Sequence, residues 1–144
     1  MTPQELDPRA VWARTRLHVW PERYVLASLG PGALADAAAA LARAPGFVAL
    51  VAERDEVSIT LTEEAWSSSG LAGRALAEAG PYRVITLDVN IDLAVVGYFA
   101  PLAVRLAEAG VAIVPQCAFL KDHLLVREAD LPTAIRVLEG LVAG

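Results

Sequence analysis

Two residues with the chemistry of a nucleophile and a base lie close together in the sequence, Cys117 and His123. A cysteine thiolate attacks electrophilic carbon once a neighbouring base has taken its proton. The two residues flank the turn of a predicted β-hairpin, so their side chains can face each other across it. No third residue that would orient the histidine is evident, and a free buried cysteine is usually inert. We therefore expect no catalytic role for this pair and predict that the protein is not an enzyme.

Other residue patterns with known chemistry are incomplete. His18, His123 and the single cysteine do not have the spacing of a metal site. The serines at 67–69 lie outside any nucleophile-elbow sequence. Gly30–Gly32 is followed by neither the lysine nor the Ser/Thr of a phosphate-binding loop. We expect no metal and no cofactor.

The composition excludes several classes of partner. The chain has 144 residues, of which 56% are hydrophobic and 20% are charged, and its net charge is −5. Nucleic acids and anionic membranes both require a basic face, so neither is an expected partner. No apolar stretch approaches the ~20 residues that span a bilayer, and no signal peptide is visible. A single cysteine fits a cytoplasmic location, and the apolar excess favours a homo-oligomer, which we predict to be a homodimer.

The first half of the chain predicts mixed helices and strands after an N-terminal lead-in. Pro3 and Pro8 interrupt any regular structure there, so residues 1–13 are predicted as lead-in. The predicted elements are a strand at 14–20, a strand at 23–29, a helix at 33–44, hairpin strands at 47–52 and 57–61, a loop at 66–70 and a helix at 71–79.

The second half predicts a similar series. It comprises a strand at 82–89, a helix from Gly97 to 109, strands at 111–119 and 123–127, and a helix at 131–142 that Asp130 caps. Pro101 decides where the first of these helices begins. In a helix interior it would cost about 3 kcal/mol, whereas the first turn tolerates it.

A repeated pentapeptide indicates that the two halves are copies of one unit. Leu-Ala-Glu-Ala-Gly occurs at 76–80 and again at 106–110, and a hairpin lies near each copy. We predict an α+β fold of two tandem ferredoxin-like βαββαβ units, with antiparallel sheets and helices on one face. The units are predicted at 1–80 and 81–144. Because the second unit runs out of chain after its last helix, we predict that strand 14–20 completes its sheet.

Several segments of the chain resemble the ACT domain, a small ligand-sensing module. They are Leu87–Asp92, Val96-Gly97, Leu106–Gly110 and Lys121–Val126 in the second half, with weaker support from Tyr24–Leu26 and Asp55–Ile59 in the first. The chain is similar to bacterial proteins with two tandem ACT-like units, which are related to the eukaryotic cytosolic arginine sensors. The resemblance covers roughly residues 15–142 and implies a regulatory, ligand-binding role.

The resemblance also implies a ligand site at an interface between two ACT units. By position, its residues come from the loop after the first strand, from the facing strand and from the acid that begins the next strand. They are Asn90, Asp92, Val96, Gly97, Gln116, Cys117 and Asp122. A helix that begins at Gly97 would offer backbone N–H groups to a carboxylate. Asn90, Asp92 or Asp122 would accept from an ammonium group, so the implied ligand is an amino acid.

Each of these residues also has a purely structural interpretation. Gly97 fits the close approach of a ligand and equally fits tight helix–sheet packing. Asn90 and Asp92 are common turn and capping residues, and an acid at a hairpin tip, such as Asp122, is usually solvated. The favoured hypothesis is a regulatory protein that binds a small metabolite. Two others stay open: a ligand-free interaction module that binds a partner enzyme, and a small enzyme that uses Cys117 and His123.

Overall fold

A computed structural model describes residues 2–144 and contains five α-helices and seven β-strands within that range. The helices are α1 (Pro8–Arg14), α2 (Leu34–Arg43), α3 (Glu63–Ser68), α4 (Ala100–Glu108) and α5 (Leu131–Ala143). The strands are β1 (Arg16–Val19), β2 (Tyr24–Leu29), β3 (Ala49–Ala52), β4 (Val57–Thr62), β5 (Ala77–Asp88), β6 (Ile113–Cys117) and β7 (Asp122–Arg127). Their pairing is antiparallel, so the predicted α+β class is confirmed.

These elements form two compact units. The central unit is Trp20–Arg83, and the terminal unit combines the chain up to Val19 with Val84–Gly144. Strand β5 begins in the first of these units and ends in the second. The predicted boundary between residues 80 and 81 separates two repeats of the sequence, not two compact units. It stays a prediction.

The central unit runs in the order β2-α2-β3-β4-α3-β5, and its strands lie in the order β3-β4-β2-β5. Strand β2 pairs with β4 on one edge and with the first half of β5 on the other. Ala27 and Leu29 of β2 and Val57, Ile59 and Leu61 of β4 belong to one buried cluster, because side chains two residues apart lie on the same face of a strand. The core comprises Ala27, Leu29, Ala33, Ala37, Ala40, Val57, Ile59, Leu61, Trp66 and Leu71.

The terminal unit uses the two ends of the chain. The last residues of β5 are followed by α4, β6, β7 and α5, and α1 and β1 come from the N-terminus. Its strand order is β1-β5-β7-β6, and β1 pairs with β5 from Arg16 opposite Asp88 to Val19 opposite Ile85. The N-terminal strand therefore lies beside β5. The core comprises Val11, Trp12, Ile85, Leu87, Tyr98, Leu102, Leu106, Val111, Leu124, Val126, Ala134, Leu138 and Leu141.

The repeated pentapeptide adopts two different structures. The copy at 106–110 ends α4, as predicted, but the copy at 76–80 lies at the start of β5, so the predicted helix at 71–79 is wrong. Only a short 3-10 turn, Ala72–Arg74, occurs there. Ala77 and Glu78 pair with Ser28 and Ala27 of β2. Helix propensity differs by only tenths of a kcal/mol between ordinary residues, so pairing to an available strand edge outweighs it.

Two short helices replace segments that were predicted to be irregular. All of α1 except its last residue lies in the predicted lead-in at 1–13, and the predicted loop at 66–70 overlaps α3. The Asp7 side chain accepts a hydrogen bond from the Arg9 N–H at 2.9 Å, and a proline follows it in the first turn. An acidic N-cap before proline starts a helix, so Pro8 begins α1 and does not interrupt it. The longest helix among residues 2–144 has 13 residues, and none there is long and apolar enough to cross a membrane.

Candidate functional site

A loop and a hairpin turn lie against each other in the terminal unit. The loop runs from Asn90 to Phe99 between β5 and α4, and the turn joins β6 to β7. The Ile91 N–H donates to the Leu120 carbonyl at 2.8 Å and connects the two segments. The Asp92 carboxylate accepts from the Ala94 N–H at 2.8 Å. The first of these hydrogen bonds holds the loop against the turn, and the second stabilises the loop itself.

The loop and the turn enclose a pocket of about 280 Å³, called the loop pocket below. This volume is close to the lower end of the range for small-molecule sites, ~300–1,000 Å³, and suits a ligand of few atoms. A second recess of about 360 Å³ adjoins it and is lined by Asn90–Leu93, Phe119 and Leu120. The loop pocket itself is lined by Ile91, Asp92, Leu93, Val95, Gly97, Tyr98, Phe99, Ala100, Ala118, Phe119, Leu120, Lys121 and Asp122.

Four of the seven residues implied by the sequence lie at this place. Asp92, Gly97 and Asp122 line the loop pocket, and Asn90 lines the adjoining recess. The other three lie outside both linings: Val96, Gln116 and Cys117. The Val96 side chain is 83% exposed, so it faces solvent. Sequence reasoning missed the apolar wall and its cation, which come from Tyr98, Phe99, Phe119, Leu120 and Lys121.

The hairpin register separates the thiol of Cys117 from the imidazole of His123. Cys117 lies opposite Asp122, and His123 lies opposite Gln116. Cys117 is exposed as a residue, but desolvation of its thiol, a hydrogen bond with Asp122 and the charge of that carboxylate together raise the pKa of Cys117 to about 11. The thiol is therefore protonated at neutral pH. The His123 Nδ1 lies 2.8 Å from the Thr86 Oγ1, and burial lowers the pKa of the imidazole.

Lys121 contributes a positive charge that is already paired. Its ammonium donates to the Asp88 carboxylate at 2.8 Å, and this hydrogen bond holds the pKa of Asp88 below its usual value. The pair is partly exposed, so it adds little to stability. The lysine in the pocket lining is therefore paired with Asp88, which lies outside the lining. The two acids of the lining are Asp92 and Asp122.

The start of α4 forms another wall of the pocket. The helix begins at Ala100 and not at Gly97 as predicted, and no side chain caps it. Phe99 and Ala100 line the pocket, whereas Pro101 in the first turn has no N–H. Gly97 has a φ of +87°, and a Cβ built there would meet nothing closer than the Pro8 Cγ at 4.0 Å. Its left-handed backbone, rather than close packing, explains the glycine.

Tyr98 fixes the wall of the pocket to the core. The Trp12 Nε1 donates to the Tyr98 carbonyl at 2.8 Å, and the two rings stack with centroids 4.5 Å apart. The Tyr98 hydroxyl lies 2.7 Å from the Thr15 Oγ1. Burial is the main cause that raises the pKa of this phenol to about 12. Helix α1 and the residue after it thus position the loop that forms the pocket.

These features define a mixed α+β protein whose fold is shared with solved aspartate kinase subunits, with a small pocket in one unit that apolar and charged side chains line. No protein-family model and no curated protein sequence matches the chain. Among solved structures, a protein of unknown function from Vibrio cholerae, described as a possible transport protein, has 21% identity and a TM-score of 0.73, over 93% of this chain and 94% of that one.

Two further structures with the same fold are subunits of aspartokinase, also called aspartate kinase. The alpha and beta subunits of aspartokinase give a TM-score of 0.67 at 18% identity, over 89% of this chain and 97% of that one. The regulatory subunit of aspartate kinase from Thermus thermophilus, in its ligand-free form, gives 0.63 at 15% identity, over 88% and 97%. At these identities the likeness establishes a shared fold.

Proposed function

We propose that this chain is a non-enzymatic regulatory protein of two tandem ferredoxin-like units of the ACT type. The strand orders β3-β4-β2-β5 and β1-β5-β7-β6 support this proposal. In the first order β5 pairs with β2, and in the second β1 pairs with β5. Each time the fourth strand of the unit lies beside its first strand, as in a ferredoxin-like βαββαβ unit. The proposed repeats meet near residues 80 and 81, and β1 completes the second unit. The likeness to aspartate kinase regulatory subunits supports a regulatory role.

The ligand that we propose is an amino acid bound in the loop pocket. The observation that carries this is the placement of two kinds of group around one small volume. The uncapped first turn of α4 offers N–H groups that suit a carboxylate. Asp92 and Asp122 line the same pocket and suit an ammonium group. A free amino acid presents both charges on one carbon atom and matches this arrangement.

Exposed apolar side chains beside the pocket support a homodimer. Leu93, Val96, Phe119 and Leu120 are each more than half exposed, with Phe119 at 75%. Large apolar side chains grouped on a surface commonly mark an interface. A second copy on this surface would cover the pocket mouth, and a bound amino acid would favour the dimer by population shift.

A thermal-shift screen against the twenty amino acids tests the ligand. At ~100 times its dissociation constant, a ligand adds ~2.7 kcal/mol of stability and raises the melting temperature by several degrees. We expect one amino acid, or a chemically related few, to give this shift. Asp122→Asn should abolish it. Glu56→Gln should leave it intact, because Glu56 is the corresponding acid at the β3–β4 turn and does not line the loop pocket.

The alternative function is a ligand-free module that binds a partner enzyme through the same apolar side chains. A flat amino-acid screen, together with a stoichiometric partner recovered equally with and without metabolites, would replace the first proposal with this one. A shift that persists in Asp122→Asn would keep amino-acid binding and remove the loop pocket as its place.

A further inference from the structure

A larger pocket lies among helices of the terminal unit. Its volume is about 520 Å³, and it is lined by residues of α1, by Pro101 and Arg105 of α4 and by the last residues of α5. It shares only Gly97 with the lining of the loop pocket. We call it the helix pocket. Its size is within the range of small-molecule sites, ~300–1,000 Å³.

Most of the helix pocket is apolar. Trp12 and Leu141 are buried core residues that line it, and Pro101 and Ala13 extend the same surface. Such a lining favours the hydrocarbon part of a ligand, because the removal of apolar surface from water is favourable.

Two cations border this apolar surface. Arg9 and Arg105 line the pocket, and among the residues that the structure describes no acidic side chain does. Within residues 2–144 neither guanidinium makes a hydrogen bond or an ion pair, whereas Arg74 and Lys121 are each paired with an aspartate. Two unpaired charges of one sign beside an apolar wall raise the local concentration of anions.

We propose that the helix pocket binds an organic anion with an apolar body, of the class of medium-chain carboxylates. The body lies on Trp12, Pro101 and Leu141, and the carboxylate meets Arg9 and Arg105. A guanidinium suits this role because its planar donors match both oxygens of a carboxylate. The proposal does not rest on amino-acid binding in the loop pocket, since it uses different side chains.

Three probes separate the two requirements. Octanoate has the apolar body and the negative charge, acetate has the charge alone, and octylammonium has the same body with the opposite charge. Binding is followed by isothermal titration calorimetry and by tryptophan fluorescence, because Trp12 lines the pocket. We expect saturable octanoate binding that is at least about tenfold tighter than that of either other probe, and that weakens as salt is added.

Matched variants place the site. Arg9→Gln and Arg105→Gln should each weaken octanoate binding by about tenfold, and Ala13→Phe should block it by filling the pocket. Arg14→Gln is the control, because Arg14 belongs to the same helix but does not line the pocket. Unchanged thermal melts establish that the arginine variants fold. The proposal is overturned if octylammonium binds as tightly as octanoate, if both arginine variants bind normally, or if octanoate binding does not saturate.

Discussion

Asp122 influences two neighbouring side chains from its position at the start of β7. It lies opposite Cys117, and after desolvation of the thiol its hydrogen bond and charge are the causes that raise the pKa of Cys117. Its charge also adds to the effect of burial on the phenol of Tyr98. One carboxylate thus suppresses thiol chemistry at the hairpin while it stays available on the pocket wall.

The reactivity of Cys117 should reflect this carboxylate. With a pKa of about 11, the thiolate fraction at pH 7 is very small, so alkylation by iodoacetamide should be slow and should accelerate as the pH rises toward 11. Asp122→Asn removes the negative charge and should move the midpoint of the pH–rate profile to lower pH. A wild-type midpoint at or below ~8.5, the ordinary cysteine value, would contradict this assignment.

Two glycines of the terminal unit should respond in opposite directions to the same substitution. Gly97→Ala forces a side chain onto a backbone with φ of +87° and should lower the free energy of unfolding by about 1–2 kcal/mol. Gly140→Ala lies inside α5 with nothing within 4 Å of the new Cβ, and it should raise that energy by about 0.5–1 kcal/mol. Urea denaturation measures both. Equal effects would show that backbone conformation is not the cause.

At the scale of elements, α1 belongs to the core. Val11 and Trp12 of this short helix are buried, and they pack with Tyr98, Leu102 and Leu141. The hydrogen bond and ring stacking between Trp12 and Tyr98 connect the helix to the loop before α4. The seven residues of α1 therefore stabilise the loop before α4, and Trp12 and Tyr98 are 86 residues apart in the chain.

Trp12→Ala tests that role. The change removes a buried aromatic ring and a hydrogen bond to the Tyr98 carbonyl, so we expect a loss of about 3–5 kcal/mol in the free energy of unfolding. Arg14→Ala, an exposed site on the same helix, should change it by less than about 0.5 kcal/mol. Chemical denaturation followed by far-UV circular dichroism measures both. A loss below about 1 kcal/mol in Trp12→Ala would mean that α1 is not part of the folded core.

Some elements could be predicted from local signals and others could not. Helix α2 and the β3–β4 hairpin were found because alanine-rich and β-branched runs are bounded there by Pro-Gly and by charged turn residues. Helix α3 was missed because its Ser-rich end looked like a loop, although the Thr62 hydroxyl caps it by accepting from the Ala65 N–H. The copies at 76–80 and 106–110 have the same sequence and therefore the same local propensity, although one lies in a strand and the other ends a helix.

At the scale of the whole molecule, exposed apolar side chains gather around the loop pocket. Leu93, Val96 and Phe119 are 71%, 83% and 75% exposed. Keeping such side chains in water is unfavourable by about 25 cal/mol for each Å² of apolar surface that a partner would cover. The proposed homodimer would use this surface.

Phe119→Asp tests the dimer. A charge in the middle of an apolar interface should weaken self-association, so sedimentation equilibrium should report a dimer for the wild type and a monomer for the variant. Leu76→Asp is the control, because Leu76 is 68% exposed and belongs to the central unit. A monomeric wild type, or dissociation caused equally by both variants, would exclude this surface as the dimer interface.

The position of the loop pocket could be predicted more readily than the residues that line it. The loop 90–97 and Asp122 were identified through the resemblance to ACT domains, and the structure places Asp92, Gly97 and Asp122 around one pocket. Gln116 and Cys117 were expected there, but they do not line that pocket. The apolar residues Phe119 and Leu120 were missed. They are notable because they are exposed, and the type of a residue does not show whether its side chain is exposed.

The sequence by itself determined the α+β class, most of the strands, and the position of Pro101 in the first turn of α4, since these follow from local periodicity and from backbone chemistry. Only the tertiary structure decided which strand edge the segment at 76–80 would meet and which helices would lie around Trp12. It also decided which acids and arginines would face a pocket. These outcomes depend on contacts between residues far apart in the chain, and local propensities of a few tenths of a kcal/mol are too weak to specify them.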